Sequence, residues 1–276
     1  MAITLIRDIT QDEIAQYERD GAICLRELFD PPWVERLRGA VERVLDSERG
    51  KRGDLTAPGG AGRFNNGSLM WRFDPDFRAF VFESPAAEIA RQMMRSRTSR
   101  FLYDHMFVKE PGTQEVTPWH HDQPYWPVRG EQVCSVWLSL DTVTRQTSGL
   151  EYVKGSHRWP SRYRPEVWGD GAERWRQVGL LDSQEEAIPD IDAARDRYEF
   201  LSWDVEPGDC LVHHSLAIHG SSGNPSATQR RRAHATRWLG DDAVYAPAPG
   251  SFNLLLDDSL TPGRPLESPR FPMIVG

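Results

Sequence analysis

The stretch Trp119-His120-His121-Asp122-Gln123 carries two histidines and one aspartate on consecutive positions. On an extended segment, residues i and i+2 point to the same side, so His120 and Asp122 can converge on one ion while His121 points away. A third donor must come from a distant part of the chain. We choose His219, because it follows a predicted strand at a turn, and a barrel would bring that strand beside the first segment.

The chemistry of these donors predicts a metal site. Two imidazoles and one carboxylate can cover one face of an iron(II) ion and leave the opposite positions open for oxygen chemistry. Zinc is a rival, although a structural zinc site normally adds a fourth ligand, often cysteine. His213 and His214 compete with His219 for the third position, and an isolated histidine is more often structural than ligating. Spacing alone leaves these alternatives open.

Composition limits the other function classes. The 276-residue chain has a formal net charge of −8, which argues against a whole-protein basic field for nucleic acid or anionic lipid. Its three cysteines are widely spaced and odd in number, which predicts a reducing, cytoplasmic setting without a disulfide framework. The first twenty residues are too polar for a signal peptide, and no stretch approaches the roughly 18 apolar residues of a membrane span.

The amino-terminal region, residues 1–97, is predicted to be mostly helical. Thr10 and Glu13 form a capping-box pattern, and Asp30 before two prolines marks another helix start. We predict one helix from Thr10 to Asp20, a second from Asp30 to Leu45 and a third from Ser84 to about Arg95. A strand is predicted over 22–29 and a mobile loop over 50–67.

Residues 98–240 have the residue pattern of β-strands, with short runs of β-branched and aromatic residues separated by turn-forming residues. We predict strands over 101–109, 133–141, 199–205, 210–214 and 231–239. The polar, tryptophan-rich segment 159–197 is expected to be an insertion or lid, and 241–276 an irregular tail. Helices followed by strands predict one α+β domain over 1–276, with a mainly β core formed as an antiparallel barrel or jelly roll.

Several ordered motifs resemble one known family. The run Thr117–Trp126 resembles the iron-binding segment of the phytanoyl-CoA dioxygenase family, which belongs to the iron(II)/2-oxoglutarate oxygenases. Further matching motifs are Gly149-Leu150, Gly155-Ser156-His157, Pro207-Gly208-Asp209, His219-Gly220-Ser221 through Asn224, and Arg231-Arg232-Ala233. The resemblance implies a double-stranded β-helix, a cupin-like jelly-roll barrel with helices outside. It also implies Fe(II) bound by His120, Asp122 and His219, with 2-oxoglutarate and O2 as cosubstrates.

The family binds the far carboxylate of 2-oxoglutarate with an arginine about eleven residues after the distal histidine. Counting from His219 without a gap favours Arg230, whereas aligning the Arg-Arg-Ala motif favours Arg231. Strand alternation places Arg231 on the same face as Ala233 and Ala235, where small side chains leave room for a cosubstrate. We therefore select Arg231 and keep Arg230 as the alternative.

Three further residues are candidates for cosubstrate binding. Trp137 resembles a family tryptophan that lines the 2-oxoglutarate pocket, although a core tryptophan would show the same pattern. Ser221 lies just past His219 and can donate a hydrogen bond to the cosubstrate. His105 is a candidate to face the pocket by strand position, although a lone histidine is more often a core residue or a group behind the ligands. His214 is a candidate for orienting a ligand.

The substrate is predicted only as a small organic metabolite. Gln123, Tyr125 and Trp126 follow the ligand segment and can line the pocket mouth, and Trp159, Trp168 and Trp175 lie in the insertion. Related halogenating enzymes lack the carboxylate that Asp122 supplies, so the resemblance implies hydroxylation, or another oxidation, with release of succinate and CO2. The alternatives are a cupin-type metalloenzyme that does not use 2-oxoglutarate and a noncatalytic barrel that serves as a binding module.

Overall fold

The computed structural model describes residues 5–47, 51–57, 59–166, 185–249 and 251–276. Much of the predicted insertion, including Trp168 and Trp175, lies outside these ranges. Its described end contains a short 3-10 helix, Arg195–Arg197. Within the described ranges, no helix is both long and apolar enough to cross a membrane.

Four α-helices are described in the amino-terminal part: α1 (Gln11–Asp20), α2 (Pro31–Leu45), α3 (Pro75–Glu83) and α4 (Ala86–Met93). The predicted capping box is confirmed, since the Glu13 backbone N–H donates to Thr10 and the Glu13 carboxylate accepts from the Thr10 N–H at 2.8 Å. The predicted cap at Asp30 is also confirmed. The helix α3 was not predicted from the sequence, although it follows another acid-proline start at Asp74.

The strands follow in chain order: β1 (Ala22–Leu25), β2 (Lys51–Asp54), β3 (Phe64–Ser68), β4 (Ser99–Lys109), β5 (Thr117–His120), β6 (Val128–Arg129), β7 (Val133–Ser139), β8 (Leu150–Val153), β9 (Phe200–Ser202), β10 (Cys210–His214), β11 (His219–Ser221), β12 (Arg231–Leu239), β13 (Val244–Tyr245) and β14 (Met273–Val275). The predicted bounds of β10 and β12 are confirmed, whereas β1 and β9 are shorter than predicted.

Two antiparallel sheets form the jelly roll. The larger has the order β1-β10-β7-β12-β4-β3-β2, with β14 also paired to β4, and the smaller has the order β5-β11-β8-β9. Most neighbours are distant in sequence, as the predicted double-stranded β-helix requires. Side chains alternate across the large sheet: one face packs on the helices, and the other faces the small sheet.

The prediction of a loop over 50–67 was wrong for β2 and β3. The strand β3 pairs with β4 along its length, and Phe64 is 2 % exposed and lies in the core between the two sheets. The glycines of this segment gave it the composition of a loop, but backbone pairing with β4 and burial of Phe64 supply the stabilisation that composition does not show. The tail beyond 241 is largely irregular, as predicted, apart from β13 and β14.

Candidate metal and cosubstrate site

Three buried donors converge between the two sheets. His120 ends β5 and His219 begins β11, and these two residues are direct partners in the antiparallel pairing of the two strands. Asp122 follows β5 in the adjoining turn. Its Oδ1 atom lies 3.6 Å from His120 Nε2 and 4.0 Å from His219 Nε2. One donor atom from each residue lies within 4.8 Å of the other two, so the geometry fits a single metal ion.

Backbone hydrogen bonds orient both imidazoles. The Nδ1–H of His120 donates to the Pro118 carbonyl at 2.8 Å, and that of His219 donates to the Ala217 carbonyl at 2.9 Å. These bonds leave each Nε2 lone pair directed at the other donors. Burial, together with the nearby His120 ring, holds the pKa of His219 well below its ordinary value. A neutral imidazole is the form that binds a metal.

The carboxylate of Asp122 is held on its other oxygen. Ser135 Oγ donates to Oδ2 at 2.8 Å, and His213 Nε2 lies 3.3 Å from the same atom. Burial alone raises the pKa of Asp122, but its interactions with His120 and His213 and the charge of Arg237 outweigh burial, so the pKa lies well below its ordinary value. Asp122 is therefore an ionised donor with Oδ1 turned toward the imidazoles.

The neighbouring histidines do not join this group. The His121 ring is hydrogen-bonded to the backbone of Tyr163, as expected for a residue that points away. His214 was a candidate for orienting a ligand, but its Nε2 donates to the Glu131 carbonyl at 2.8 Å and its Nδ1 accepts from a backbone N–H. His213 contacts Asp122 instead. The two histidines exchange roles because alternation along β10 turns only His213 toward the small sheet.

The donor set fits iron(II) better than structural zinc. Among the described residues, the cluster contains two nitrogens and one carboxylate oxygen, without a thiolate or a fourth side chain. A three-donor set leaves coordination positions for small molecules. A cavity beside it is lined by Phe107, Thr117, His120, Asp122, Trp137, Leu150, His213, His219, Arg231 and Arg237.

Arg231 lies at one end of this cavity and is 2 % exposed. Its Nη2 donates to the Ser148 carbonyl at 2.9 Å and lies 3.4 Å from Ser221 Oγ, while its guanidinium lies 5.5 Å from the centre of the Trp137 ring. No carboxylate of the described chain forms an ion pair with it. Burial lowers the pKa of Arg231 to about 10, so it is charged at neutral pH.

Arg230 faces the other way. Its guanidinium forms two hydrogen bonds with Glu110 and one with Glu42, and it does not line the cavity. Of the two candidate arginines, only Arg231 reaches the space beside the metal donors.

Lys109 is a second buried cation at the same end and was not identified from sequence. Its ammonium donates to Ser221 Oγ at 3.1 Å and to the Ser222 carbonyl at 2.7 Å. It pairs with Arg231 across β4 and β12. Burial, and then the charge of Arg231, holds the pKa of Lys109 well below its ordinary value. Two basic side chains therefore meet at Ser221, and an anion bound there would stabilise the charged form of Lys109.

The remaining cosubstrate candidates lie at different depths. Trp137 lines the cavity, with its ring beside Arg231. His105 is a neighbour rather than a lining residue: its ring packs at a tilt against that of Phe107, with centres 4.0 Å apart. Its Nε2 is buried without a hydrogen-bond partner among the described residues. Burial, and then the charge of Arg237, holds the pKa of His105 well below its ordinary value.

The three predicted pocket-mouth residues are placed beside the site rather than along the cavity. Gln123 is buried and hydrogen-bonds to Gly130, Ser215 and Arg162. The Tyr125 ring lies edge-on to His120, with centres 6.0 Å apart. Trp126 is 3 % exposed and its indole N–H donates to Tyr103 Oη at 3.0 Å. Their contribution to substrate binding stays a prediction.

Comparison with known proteins is consistent with this site. The family model described as phytanoyl-CoA dioxygenase (PhyH) matches residues 17–233. A probable phytanoyl-CoA dioxygenase of Caenorhabditis elegans is 25% identical over 178 residues, which span 61% of this chain and 52% of that protein. An ectoine dioxygenase of Bordetella bronchiseptica is 25% identical over 234 residues, which span 80% of this chain and 73% of that protein.

Solved structures share the fold. The carbocyclase SnoK from nogalamycin biosynthesis superposes with a TM-score of 0.78 at 22% identity and covers 100% of both chains. EctD from S. alaskensis, solved with 2-oxoglutarate and 5-hydroxyectoine, gives 0.66 at 17% identity and covers 90% of this chain and 82% of its own. The family match extends over most of the chain and includes all three metal donors. The chain therefore belongs to the phytanoyl-CoA dioxygenase family and is an iron(II)- and 2-oxoglutarate-dependent dioxygenase.

Proposed function

We propose that this dioxygenase hydroxylates a small organic metabolite and converts 2-oxoglutarate to succinate and CO2. Its protein ligands to iron(II) are His120, Asp122 and His219. The observation that carries the proposal is the convergence of these three buried donors on one cavity, whose far end holds a buried arginine. A noncatalytic barrel would not need to keep both features.

The protein supplies fixed geometry to the metal. When bound, iron(II) supplies the redox chemistry through which dioxygen oxidises both the cosubstrate and the substrate. The backbone bonds to His120 and His219 fix the tautomer that carries its proton on Nδ1 and leaves Nε2 free for the metal. Ser135 and His213 hold Asp122 by its second oxygen. Such outer contacts increase metal affinity and keep the ligands in place.

Arg231 binds the distal carboxylate of 2-oxoglutarate in this proposal. A guanidinium can form paired, charge-assisted hydrogen bonds with a carboxylate, and burial strengthens them. Ser221 adds a hydroxyl at the same end, and Lys109 adds positive charge behind it. The absence of an ion-pair partner for Arg231 among the described residues supports an anionic ligand at this position. A cupin-type enzyme without 2-oxoglutarate would leave the charge of Arg231 unused.

Surrounding aromatic groups exclude water and shape the cavity. Trp137 lines the cosubstrate end. His105 lies against Phe107, and one of its imidazole nitrogens has no hydrogen-bond partner within the described ranges. Tyr125 and Trp126 border the metal end, and Gln123 braces the turn after Asp122 through its amide bonds. We assign these five residues to shaping the pocket.

Hydroxylation is the expected outcome because Asp122 completes the three-residue ligand set. Solved structures of similar fold include a carbocyclase and an epimerase as well as a protein that contains 5-hydroxyectoine, so the fold itself is compatible with several oxidations. A cytoplasmic location is part of the proposal, supported by three free thiols.

The test is cosubstrate turnover. Purified protein is incubated with iron(II), ascorbate and labelled 2-oxoglutarate, and succinate is measured with a metabolite library. The wild-type protein should form succinate and should respond to a substrate, whereas His219→Ala should do neither. A product that gains one oxygen atom supports hydroxylation, and one that loses two hydrogens or keeps its mass contradicts it. A wild-type protein that neither binds nor consumes 2-oxoglutarate would refute the proposed class.

A further inference from the structure

A third buried cation, Arg237, lines the metal end of the cavity. Its side chain is 5 % exposed, and it occupies the same face of β12 as Arg231, six residues further along. At about 3.3 Å per residue, the two backbones are about 20 Å apart. Arg237 is the register partner of Ser135, whose hydroxyl donates to Asp122. Its backbone is therefore close to the metal donors and remote from the cosubstrate arginine.

The surroundings of Arg237 are aromatic rather than acidic. Its guanidinium lies 4.9 Å from the centre of the Tyr103 ring, 5.9 Å from Phe107 and 6.0 Å from Trp126. Its hydrogen bond within the described chain runs from Nη1 to the Ala235 carbonyl at 3.0 Å, and its buried Nε has no partner there. Aromatic faces attract a cation and exclude water, but they accept no directed N–H bond of normal strength.

The edge of the guanidinium formed by Nε and Nη2 binds both oxygens of a carboxylate at two other arginines, one in β12 and one directly before it. Arg230 donates from Nε and Nη2 to the two oxygens of Glu110, and Arg232 donates from the same atoms to Asp141. In Arg237 the Nε of this edge has no partner within the described residues, although the side chain is buried. The geometry is that of a bidentate carboxylate site without its carboxylate.

The balance of charges in the cavity also favours an anionic ligand at Arg237. Asp122 is the nearby acid whose charge interacts with Arg237, but a bound divalent metal takes up that charge. The cosubstrate brings two carboxylates, of which one is matched by the metal and the other by Arg231. Lys109 and Arg231 both lie at the cosubstrate end, so the positive charge of Arg237 stays unmatched at the metal end, in surroundings where an unpaired charge is costly.

We propose that the Nε–Nη2 edge of Arg237 binds a carboxylate of the substrate, so that this enzyme oxidises an organic acid. The inference rests on the proposed function, because it assigns Arg231 and the metal to the cosubstrate. Binding at Arg237 would hold the acid group beside Tyr103 and Trp126 and direct the remainder of the molecule to the metal. Arg237 is thus a residue that determines substrate class.

Three acids test the proposal, each with its primary amide as an uncharged match: acetate, benzoate and 4-phenylbutyrate. Each is titrated by calorimetry into anaerobic iron(II) protein saturated with 2-oxoglutarate. At least one acid should bind the wild type about tenfold more tightly than its amide, as expected for a charge-assisted pair. Arg237→Gln should remove this preference, and Arg237→Lys, which keeps the charge and loses the edge, should retain part of it.

Binding of 2-oxoglutarate, followed by the visible absorption of its iron(II) complex, separates the two proposals. Arg237→Gln should keep cosubstrate affinity, whereas Arg231→Gln should lose it. The inference is overturned if the wild type binds acids and amides with equal affinity, or if Arg237→Gln keeps the preference for the acid. It is also overturned if Arg237→Gln lowers the affinity for 2-oxoglutarate as much as Arg231→Gln does. Failure of the wild type to bind 2-oxoglutarate would overturn the proposed function as well. Circular dichroism of both Arg237 variants verifies the fold.

Discussion

Ser135 Oγ donates a hydrogen bond of 2.8 Å to Asp122 Oδ2, on the side of the carboxylate away from both imidazoles. This contact joins a central strand of the large sheet to the turn that follows β5. It keeps the carboxylate from rotating, and Oδ1 is therefore the oxygen presented to His120 and His219. The metal donors are fixed by the large sheet as well as by the small sheet from which the histidines come.

Removing this hydroxyl should weaken metal binding without unfolding the protein. Ser135→Ala leaves Asp122 held by His213 alone, and the loss of an outer-sphere contact of this kind typically costs about 10- to 100-fold in metal affinity. Anaerobic titration of iron(II) or manganese(II) against a competing chelator measures the change.

Ser139→Ala is the matched control for Ser135→Ala. Ser139 lies on the same strand and face, but its hydroxyl donates to the Asp141 carbonyl at 2.6 Å and does not contact the metal donors. Equal losses of affinity in the two variants would show that the strand, rather than the hydrogen bond to Asp122, is responsible.

Two adjacent histidines offer a sharp test of the ligand assignment. His120→Ala removes a donor, and metal affinity should fall by at least about 100-fold, more than for loss of an outer contact. His121→Ala removes a ring that bonds to the Tyr163 backbone, and metal affinity should be nearly unchanged. Isothermal titration with manganese(II) measures both. A His121 variant that loses metal as completely as the His120 variant would contradict the assignment.

The sequence allowed His120 and Asp122 to be predicted because their spacing is local, and it allowed His219 to be predicted through its motif. Alternation places His120 and Asp122 on one side of an extended segment, and the motif after β10 supplies His219. Alternation also separated Arg231 from Arg230, and the structure places only Arg231 at the cavity. For His120, Asp122 and Arg231 the information was the spacing of residues along one segment, whereas for His219 it was the set of ordered motifs that resemble the family.

The contacts around the donors depend on register between distant strands, which one sequence does not reveal. Ser135 faces His213 because β7 and β10 pair in one particular register, and Arg237 faces Ser135 for the same reason. A shift by one residue would have exchanged His213 for His214, which is the error made from sequence. Lys109 was missed in the same way, since its pairing with Arg231 joins strands that are more than a hundred residues apart.

Replacing Arg231 should weaken the binding of 2-oxoglutarate without a matching loss when Arg230 is replaced. Arg231→Gln removes a charge-assisted pair, and the Kd of 2-oxoglutarate should rise by about 10- to 100-fold. Arg230→Gln is the control, because Arg230 is engaged by Glu110 and Glu42 outside the cavity. Absorption titration of the anaerobic iron(II) protein gives both constants. A larger effect at Arg230 than at Arg231 would reverse the assignment.

At Gly21, adding a single carbon as Cβ should cause a large loss of folding stability. It ends α1 at φ +85° and leads directly into β1, and a Cβ there would meet the His157 ring. That ring cannot easily move, since its Nε2–H donates to the Glu18 carbonyl at 3.1 Å and it packs against His214. Gly21→Ala should therefore lower the free energy of unfolding by more than the roughly 1–2 kcal/mol that left-handed backbone costs alanine.

Two further variants separate the clash at Gly21 from the backbone strain. Gly112 has a similar φ of +76° with nothing within 4 Å of an added Cβ, so Gly112→Ala should show the backbone cost alone. Combining Gly21→Ala with His157→Ala should recover part of the loss, because the two residues interact directly. Urea denaturation of the metal-free variants measures these differences. If Gly21→Ala and Gly112→Ala cost the same, the close packing of α1, β1 and the Gly-Ser-His turn is not a source of stability.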